Sequence, residues 1–269
     1  MQISRYLSTI GTFDKQVRMK FKLPVYDHLK DKDLPMFMFG YYLRDDQEMA
    51  KWVLNHRGFL VIVWSGSDSM NLEKKKRAIE YFKDNKDRIK HVAWSHWIVS
   101  DLEAVGLEVV KRAVFPVTFD WLRFEKEHSG KVYHYHARHK SRYEFYGTDI
   151  VNKIEKKGLL NGQFVKTCWG HVKPQSREMY GLYRLCYIGI RLTEHDNMAL
   201  SAVEMGLMGR KTIFNGNIPC AINYESKYEA VRMLIESFKN KPEPDKLLAE
   251  EMREFVHDDM AWLNTNYYE

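Results

Sequence analysis

The sequence predicts an α/β protein with two parallel-sheet domains, and three observations support this prediction. Short apolar runs alternate with amphipathic helical segments along most of the 269 residues. The connections between them are short, which is typical of parallel strands whose sheet is covered by helices on both faces. A polar, turn-rich stretch at 124–130 interrupts the alternation, and we interpret it as the domain boundary.

The composition is that of a packed globular protein, because 45% of the residues are hydrophobic and 29% are charged. Cys168, Cys186 and Cys220 lack the spacing of a zinc site, so we expect buried thiols in a reducing compartment. No secretory signal is visible, and the longest clean apolar run, 59–64, is too short to cross a bilayer. These features predict a soluble, cytoplasmic protein. The formal net charge of +6 suits a phosphorylated ligand, an anionic membrane surface or nucleic acid, and peripheral membrane contact stays open.

The first domain is predicted to span residues 1–125 and to be small for its type, with about four strands. It opens irregularly, and apolar runs typical of buried strands follow at 35–42, 59–64, 91–95 and 109–116. Helical segments lie between them at 45–58, 71–85 and 98–106. We interpret Asp45 and Asp46 as a helix start, and the basic cluster of the segment 71–85 as a solvated helix face.

The second domain, residues 126–269, repeats the alternation of strands and helices. Strands are predicted at 131–137, 164–169 and 186–192, and helices at 147–158, 176–185, 227–240 and 245–263. Asp258 and Asp259 are assigned to a solvated face of the last helix, which could pack back on the first domain. Because the two halves share this alternation, we expect two Rossmann-like domains that face a cleft, the first of them reduced.

One segment, 191–216, combines a strand end, a polar turn, an amphipathic helix, a glycine stop and a second strand. Asp196 stands at the expected helix start, and Glu204 follows two turns later. Asp196 and Asn197 suit the N-cap of this helix by residue type. This order places free backbone N–H groups and a positive helix dipole at the carboxyl edge of a sheet. Anions, and phosphates above all, bind at such a place.

This segment resembles the donor-binding signature of retaining glycosyltransferases with the two-Rossmann (GT-B) fold, the "group 1" family. In that family an acidic residue is followed eight positions later by glutamate, in a pattern like E-G-F-G-L-x-x-x-E-A-M-A-x-G-x-P-V-I. The stretch D-N-M-A-L-S-A-V-E-M-G-L-M-G-R-K-T-I aligns with this pattern without gaps. Asp196 and Glu204 take the two acidic positions. Leu200, Gly209 and Ile213 match directly, whereas Asn197 and Ala199 replace two glycines.

Four further stretches extend the resemblance over most of the chain. WSGSDSM (64–70) is similar to the family's H-G-x-D-type turn, which faces the acceptor and the reaction centre. The stretch 95–120 resembles the passage that leads to the domain junction, and 178–196 resembles the helix and strand before the donor loop. RHKSRYEFYG (138–147) lies where the family often carries basic residues that neutralise the donor diphosphate.

The resemblance implies roles for residues around the donor. Glu204 would accept hydrogen bonds from two ribose hydroxyls, and Asp196 would reach the donor sugar; on spacing alone, an exposed helix carboxylate is the alternative for Glu204. Arg191 and Glu194 contact the donor or form a structural ion pair. The remaining donor-binding candidates are Asn197, Met198, Ala199, Leu200, His195, Arg138, Lys140 and Arg142.

Several titratable residues have two interpretations each. Asp68 follows a glycine turn at a strand's carboxyl end, where it would orient or deprotonate the acceptor hydroxyl, or simply form the turn. His96 lines the cleft or belongs to the core or its rim. His134 and His136 share a strand face, and no cysteine or carboxylate completes a metal set with them or with His139. No acidic pair stands at a convincing strand end, so we expect no metal requirement.

The sequence therefore predicts a glycosyltransferase that moves a sugar from a nucleotide-sugar donor to a glycan-type acceptor hydroxyl. The resemblance implies retention of anomeric configuration, with the nucleotide sugar as a co-substrate and no cofactor. One alternative is a sugar transferase that acts on a hydroxylated DNA base, with which the basic charge is compatible. Another is a catalytically silent nucleotide-sugar-binding protein, because Asp196 is a shorter carboxylate than the family's glutamate.

Overall fold

The computed structural model describes residues 1–160, 162–168, 177–193, 195–197 and 199–269. Their contacts divide the chain into two units. The first unit is Met1–Thr118, His195–Asn197 and His257–Glu269, and the second is Phe119–Glu194 and Met198–Val256. Each unit contains a five-stranded parallel sheet with helices between its strands, which confirms the predicted α/β class.

The first unit alternates strands and helices along the chain, and its sheet has the order β1-β2-β3-β4-β5. The strands are β1 (Arg5–Ser8), β2 (Met36–Phe39), β3 (Leu60–Val63), β4 (Ile89–Ala93) and β5 (Val109–Lys111). The helices are α1 (Gly11–Phe21), α2 (Glu48–Leu54), α3 (Lys76–Asp84) and α4 (His96–Ala104). The prediction of about four strands was therefore wrong by one. The missing strand, β1, has four residues of which only two are buried, so it has little apolar signal.

The sheet of the first unit is buried on both faces. Met36 and Met38 of β2 pack in one hydrophobic cluster, and Phe37 and Phe39 pack in the cluster on the other face. A strand buried on both sides has to be apolar at every position, and this explains the uninterrupted run. Trp262 contacts Phe37 with 5.2 Å between ring centroids, so the C-terminal segment completes the core of this unit.

The second unit has the strand order β10-β9-β8-β6-β7. Its strands are β6 (Lys131–Tyr135), β7 (Phe164–Thr167), β8 (Cys186–Ile190), β9 (Thr212–Ile213) and β10 (Ala221–Ile222). Its helices are α5 (Tyr143–Tyr146), α6 (Thr148–Lys156), α7 (Arg177–Arg184), α8 (Leu200–Leu207), α9 (Lys227–Asn240) and α10 (Lys246–Val256). Because β6 and β8 are parallel neighbours, the loops that follow them lie at the same edge of the sheet.

The last helix is shorter than predicted, because α10 ends at Val256. Asp258 is not on a solvated face: its carboxylate pairs with Lys20 at 3.2 Å, and both side chains are less than a tenth exposed. It also accepts hydrogen bonds from the Met260 backbone N–H and the Trp262 indole N–H. These bonds stabilise a turn where the helix was predicted to continue. The helical apolar spacing continues to Leu263, so nothing in the sequence indicates this turn.

Two charged residues near α3 also differ from their interpretation. Lys75, in the basic cluster interpreted as solvated, is only 4% exposed, and its ammonium donates to the carbonyls of Tyr41 and Asp68. Burial lowers the pKa of Lys75 to about 8. Asp45 does not start α2, which begins at Glu48. Its carboxylate instead accepts from the N–H groups of Arg77 and Ala78, in the first turn of α3.

Candidate functional site

The loop after β8 leads into α8, and the helix starts later than predicted. Its N-cap is Ala199, with a φ of 25° and no capping side chain, so Asp196 and Asn197 are not the N-caps. Asp196 instead accepts a hydrogen bond from the Asn197 N–H at 2.8 Å, within a turn that precedes the helix. A positive φ favours glycine, so alanine is strained at this position.

Glu204 is buried in the middle of α8 and is 6% exposed, so the exposed-carboxylate alternative is wrong. Its carboxylate accepts a hydrogen bond from the Tyr183 hydroxyl of α7 at 2.5 Å. Burial raises the pKa of Glu204 to about 7, and the bond from Tyr183 opposes that rise. The structure thus holds a carboxylate that changes protonation near neutral pH, which is a property of functional sites more often than of structural ones.

Two further contacts hold the Tyr183 side chain that binds this carboxylate. The Tyr183 ring lies edge-on to Tyr133 of β6, with ring centroids 4.9 Å apart. The Tyr133 hydroxyl hydrogen-bonds the Thr167 hydroxyl at 2.7 Å, at the end of β7. These residues carry no motif of their own, and sequence reasoning missed them. A signal was present for Thr167, because it stands near the carboxyl end of the predicted strand 164–169, whereas Tyr133 lies in the middle of its strand.

Basic and aromatic side chains meet at the edge where β6 and β8 end. The Arg191 guanidinium lies over the rings of Tyr135 and Tyr146, at 5.1 and 5.3 Å from their centroids. Arg142 lies over Tyr146 and Phe145. Such cation–π contacts hold a guanidinium in place without neutralising it. The structure therefore brings the predicted Arg191 and Arg142 to one aromatic cluster, whose rings the sequence analysis did not single out.

Other predicted donor residues lie around the same edge of the second unit. Arg138 and Lys140 are exposed in the loop after β6, as is Arg142. Gly147 closes this loop with a φ of 67°, and a Cβ there would lie 2.5 Å from the Cβ of Leu192. This close approach packs the basic loop against the residues that follow β8. Glu194 and Met198 lie outside the described residues.

His195 and Asn197 belong by their contacts to the first unit. The Nε2 of His195 is 2.7 Å from Oδ2 of Asp101 on α4, and the Ser69 hydroxyl donates to the same oxygen at 2.7 Å. The Asn197 amide donates to the Trp64 carbonyl, just after β3. Asp101 and Ser69 are not predicted site residues, because a helical aspartate and a turn serine carry no specific signal in the sequence.

Asp68 is 1% exposed, and backbone groups surround its carboxylate. It accepts from the N–H groups of Gly66 at 2.8 Å, and of Tyr41 and Ser65 at 3.0 Å each. Burial raises the pKa of Asp68, and these hydrogen bonds oppose the rise. The contacts support the turn-forming interpretation of Asp68, since they order the turn between β3 and the helix that follows.

His134 and His136 lie side by side on β6 and the loop after it, with ring centroids 5.7 Å apart. His134 is buried between the Ile190 carbonyl and the Thr148 hydroxyl, and burial lowers its pKa to about 3. His136 contacts the ring of Tyr143, and His96 and His139 are exposed. Within the described ranges, no group of three or more His, Cys, Asp or Glu side chains is placed to hold a metal ion. All three cysteines are buried and free, as predicted. None of the described helices is long and apolar enough to cross a membrane.

Known structures share this architecture at low sequence identity. A structure of S. aureus TarM in complex with fondaparinux, alpha-GlcNAc-glycerol and UDP matches with a TM-score of 0.54 and 12% identity, over 95% of this chain and 57% of TarM. Sucrose-phosphate synthase from Thermosynechococcus elongatus matches with a TM-score of 0.54 and 9% identity, over 90% of this chain and 72% of that protein. No family model matches the sequence, and no curated protein matches it significantly.

These matches define the fold class. The two parallel α/β sheets match those of GT-B-type glycosyltransferase structures. It spans a little over half the length of TarM, at 57%.

Proposed function

We propose that the protein is a glycosyltransferase that moves a sugar from a nucleotide-sugar donor to a glycan-type acceptor hydroxyl. The observation that carries the proposal is Glu204, a buried carboxylate that Tyr183 holds on α8. It stands in the second acidic position of the donor-binding frame, in a chain with the GT-B fold. Among the described residues its charge is favoured by the Tyr183 hydroxyl and by no cation, and a buried charge of this kind costs folding free energy. That cost supports a ligand-binding role for Glu204.

The donor would be held by residues of the segment 191–216 and of the basic loop 138–142. Glu204 accepts hydrogen bonds from the ribose hydroxyls, and Asp196 reaches toward the sugar. The N–H groups of Ala199 and Leu200 are the proposed diphosphate ligands. The Asn197 N–H already donates to Asp196. The cations that would stabilise the charge on the departing nucleoside diphosphate are Arg138, Lys140, Arg142 and Arg191.

In the proposed reaction, the acceptor oxygen bonds to the anomeric carbon while the bond from that carbon to the diphosphate oxygen breaks. The nucleoside diphosphate leaves with the bonding electrons, and its departing oxygen takes up the proton of the acceptor hydroxyl. Because fixed cations balance that charge, we propose a metal-independent reaction. We also propose retention, which rests on the resemblance of the donor segment.

A panel of nucleoside diphosphates and nucleotide sugars tests this function. One nucleoside diphosphate, at about 100 times its dissociation constant, is expected to stabilise the protein by about 2.7 kcal/mol in a thermal-shift assay. Its sugar conjugate should be transferred or hydrolysed by the wild-type protein and not by Glu204→Ala. Tight nucleotide binding without turnover of any donor would contradict the enzyme and leave a nucleotide-sugar-binding protein.

Asp68→Asn separates the two interpretations of that residue. The asparagine side chain has one acceptor oxygen, so it can keep the backbone N–H contacts of only one of the two carboxylate oxygens. We therefore expect the free energy of unfolding to fall by about 1 kcal/mol. If Asp68 only forms the turn, turnover should fall less than about 10-fold, whereas loss of a general base costs about 100-fold or more. Urea denaturation and donor turnover measure the two effects, and a loss of turnover above 100-fold in folded protein would restore the catalytic role.

A further inference from the structure

We infer that Tyr183 is a positioning residue of the donor site, whose hydroxyl orients the Glu204 carboxylate toward the ribose of the nucleotide. The inference rests on the proposed function, and it adds a residue outside the donor-binding segment 191–216. Its basis is the contact between α7 and α8, in which the Tyr183 hydroxyl lies 2.5 Å from Oε2 of Glu204.

Both partners of this contact are shielded from water. Tyr183 is fully buried, and Glu204 is 6% exposed. In such an environment a hydrogen bond to a carboxylate is stronger than in water, and it restricts the carboxylate to one orientation. Because the Tyr183 hydroxyl occupies Oε2, it fixes the direction of the remaining lone pairs of the carboxylate. Those lone pairs are the ones left for ligand hydroxyls.

The tyrosine is itself held by the sheet. Its ring packs edge-on against Tyr133 of β6, with an interplanar angle of 67°. The Tyr133 hydroxyl is bound to Thr167 of β7. The contacts therefore run from two neighbouring strands through α7 to the carboxylate on α8, within the second unit. A side chain supported in this way can hold a ligand-binding carboxylate within the small tolerance that a paired hydroxyl contact requires.

The hydroxyl also favours the ionised carboxylate. Burial disfavours the charge on Glu204, and the bond from Tyr183 is the contact that favours it. Without that bond, more of Glu204 would be protonated at neutral pH. A protonated carboxyl group accepts on fewer lone pairs, so it binds a pair of ribose hydroxyls less well. Tyr183 is therefore expected to act on ribose recognition alone, and not on the chemical step.

The test compares Tyr183→Phe with Tyr187→Phe. Tyr187 is a matched control, because it is also buried in the second unit and its hydroxyl lies 3.4 Å from Ser237 on α9. Calorimetry would measure the dissociation constants of the nucleoside diphosphate identified by the panel and of its 2′,3′-dideoxy analogue. We expect Tyr183→Phe to weaken the ribonucleotide at least 10-fold and the dideoxy analogue less than twofold. Donor KM should rise in parallel, with kcat changed less than threefold. Tyr187→Phe should change none of these values.

Other outcomes overturn the inference. Equal weakening of both nucleotides would make Tyr183 a general structural residue, and unchanged ribonucleotide affinity would remove its role. A wild-type protein that bound no nucleoside diphosphate would contradict the proposed function and this inference together, before any variant is made. Equal wild-type dissociation constants for the ribonucleotide and its dideoxy analogue would contradict the inference without contradicting the transferase activity.

A double variant keeps the test decisive if Tyr183→Phe does not fold alone. Tyr183→Phe combined with Glu204→Gln leaves no carboxylate to bury, so it removes the main reason for misfolding. If Tyr183 acts through Glu204, the double variant should bind the ribonucleotide within twofold of Glu204→Gln alone. A further 10-fold loss in the double variant would show that Tyr183 acts independently of the carboxylate, contrary to the inference.

Discussion

Replacing Glu204 by glutamine is expected to stabilise the protein at pH 8 and to remove most of its donor binding. The carboxylate is buried, and its pKa of about 7 lies above the ordinary value of 4.5. At pH 8 the folded protein therefore carries a buried charge that the unfolded chain would hydrate freely. A shift of this size corresponds to about 3 kcal/mol, because one pKa unit is about 1.4 kcal/mol. Glutamine has nearly the same shape and carries no charge.

The sign of the pH dependence follows from the direction of the shift. Because the folded pKa is raised, the stabilising effect of protonated Glu204 is complete below pH 4.5 and is lost as pH rises through about 7. Wild-type protein and Glu204→Gln should therefore have similar free energies of unfolding near pH 4.5. By pH 8 the variant should be more stable by up to about 3 kcal/mol. Donor affinity of the wild-type protein should change in the opposite direction, weakening as pH falls below 7.

The loss of binding has a separate cause. An amide offers one acceptor oxygen where a carboxylate offers two, so one ribose hydroxyl loses its partner and the charge is absent. Losing charged hydrogen bonds of this kind costs about 3 kcal/mol, or about 100-fold in kcat/KM. Urea denaturation at pH 4.5 and pH 8 and donor kinetics would measure both effects. Glu250→Gln on α10 is the control, because Glu250 is exposed and pairs only with Lys246 in the described structure. Equal stability of Glu204→Gln and wild type at pH 8 would contradict the buried-charge account.

Arg210→Met is expected to lower the free energy of unfolding by about 3 kcal/mol or more. Arg210 follows the end of α8 and is 1% exposed. Its guanidinium donates to the carbonyls of Cys186 at 2.6 Å, Met208 at 2.7 Å and Glu127 at 2.9 Å. Methionine would leave these carbonyls without that donor, although it also relieves the burial of a charge, and that burial lowers the pKa of Arg210. The unsatisfied carbonyls dominate, because each costs about 1–3 kcal/mol.

The geometry of the guanidinium makes this prediction specific. An ammonium is a point donor on a flexible stem and cannot reproduce a planar fork, so Arg210→Lys should recover only part of the loss. Arg232→Met on α9 is the control, since Arg232 is exposed and its pair with Glu229 is a surface contact. Urea denaturation would measure all three variants. Full recovery of stability by lysine would show that charge, and not the three-carbonyl geometry, explains the effect.

The alternation of apolar runs and helices was enough to predict most of the fold. Helix α9 has the predicted bounds, Lys227–Asn240, because a serine cap and regular apolar spacing define it. Short elements gave too little periodic signal, and β1 and β10 were therefore missed. The end of α10 was misplaced because Asp258 is buried and its partners, Lys20 and Arg112, are distant in sequence.

Some residues of the candidate site could be predicted from the sequence, and others only from the packing of its elements. Glu204 and the basic loop could be predicted from their spacing in the donor-binding pattern, since residues on one helix or one loop keep fixed distances along the chain. The contacts of Tyr183, Tyr133 and Thr167 join α7, β6 and β7, and only the packing of these elements brings them together. Burial, too, was decided by tertiary structure. Lys75 and Asp258 look like solvated charges in the sequence, and Glu204 allowed either an exposed or a ligand-binding role. Their environments depend on which neighbours exclude water, and that information is not local to any segment.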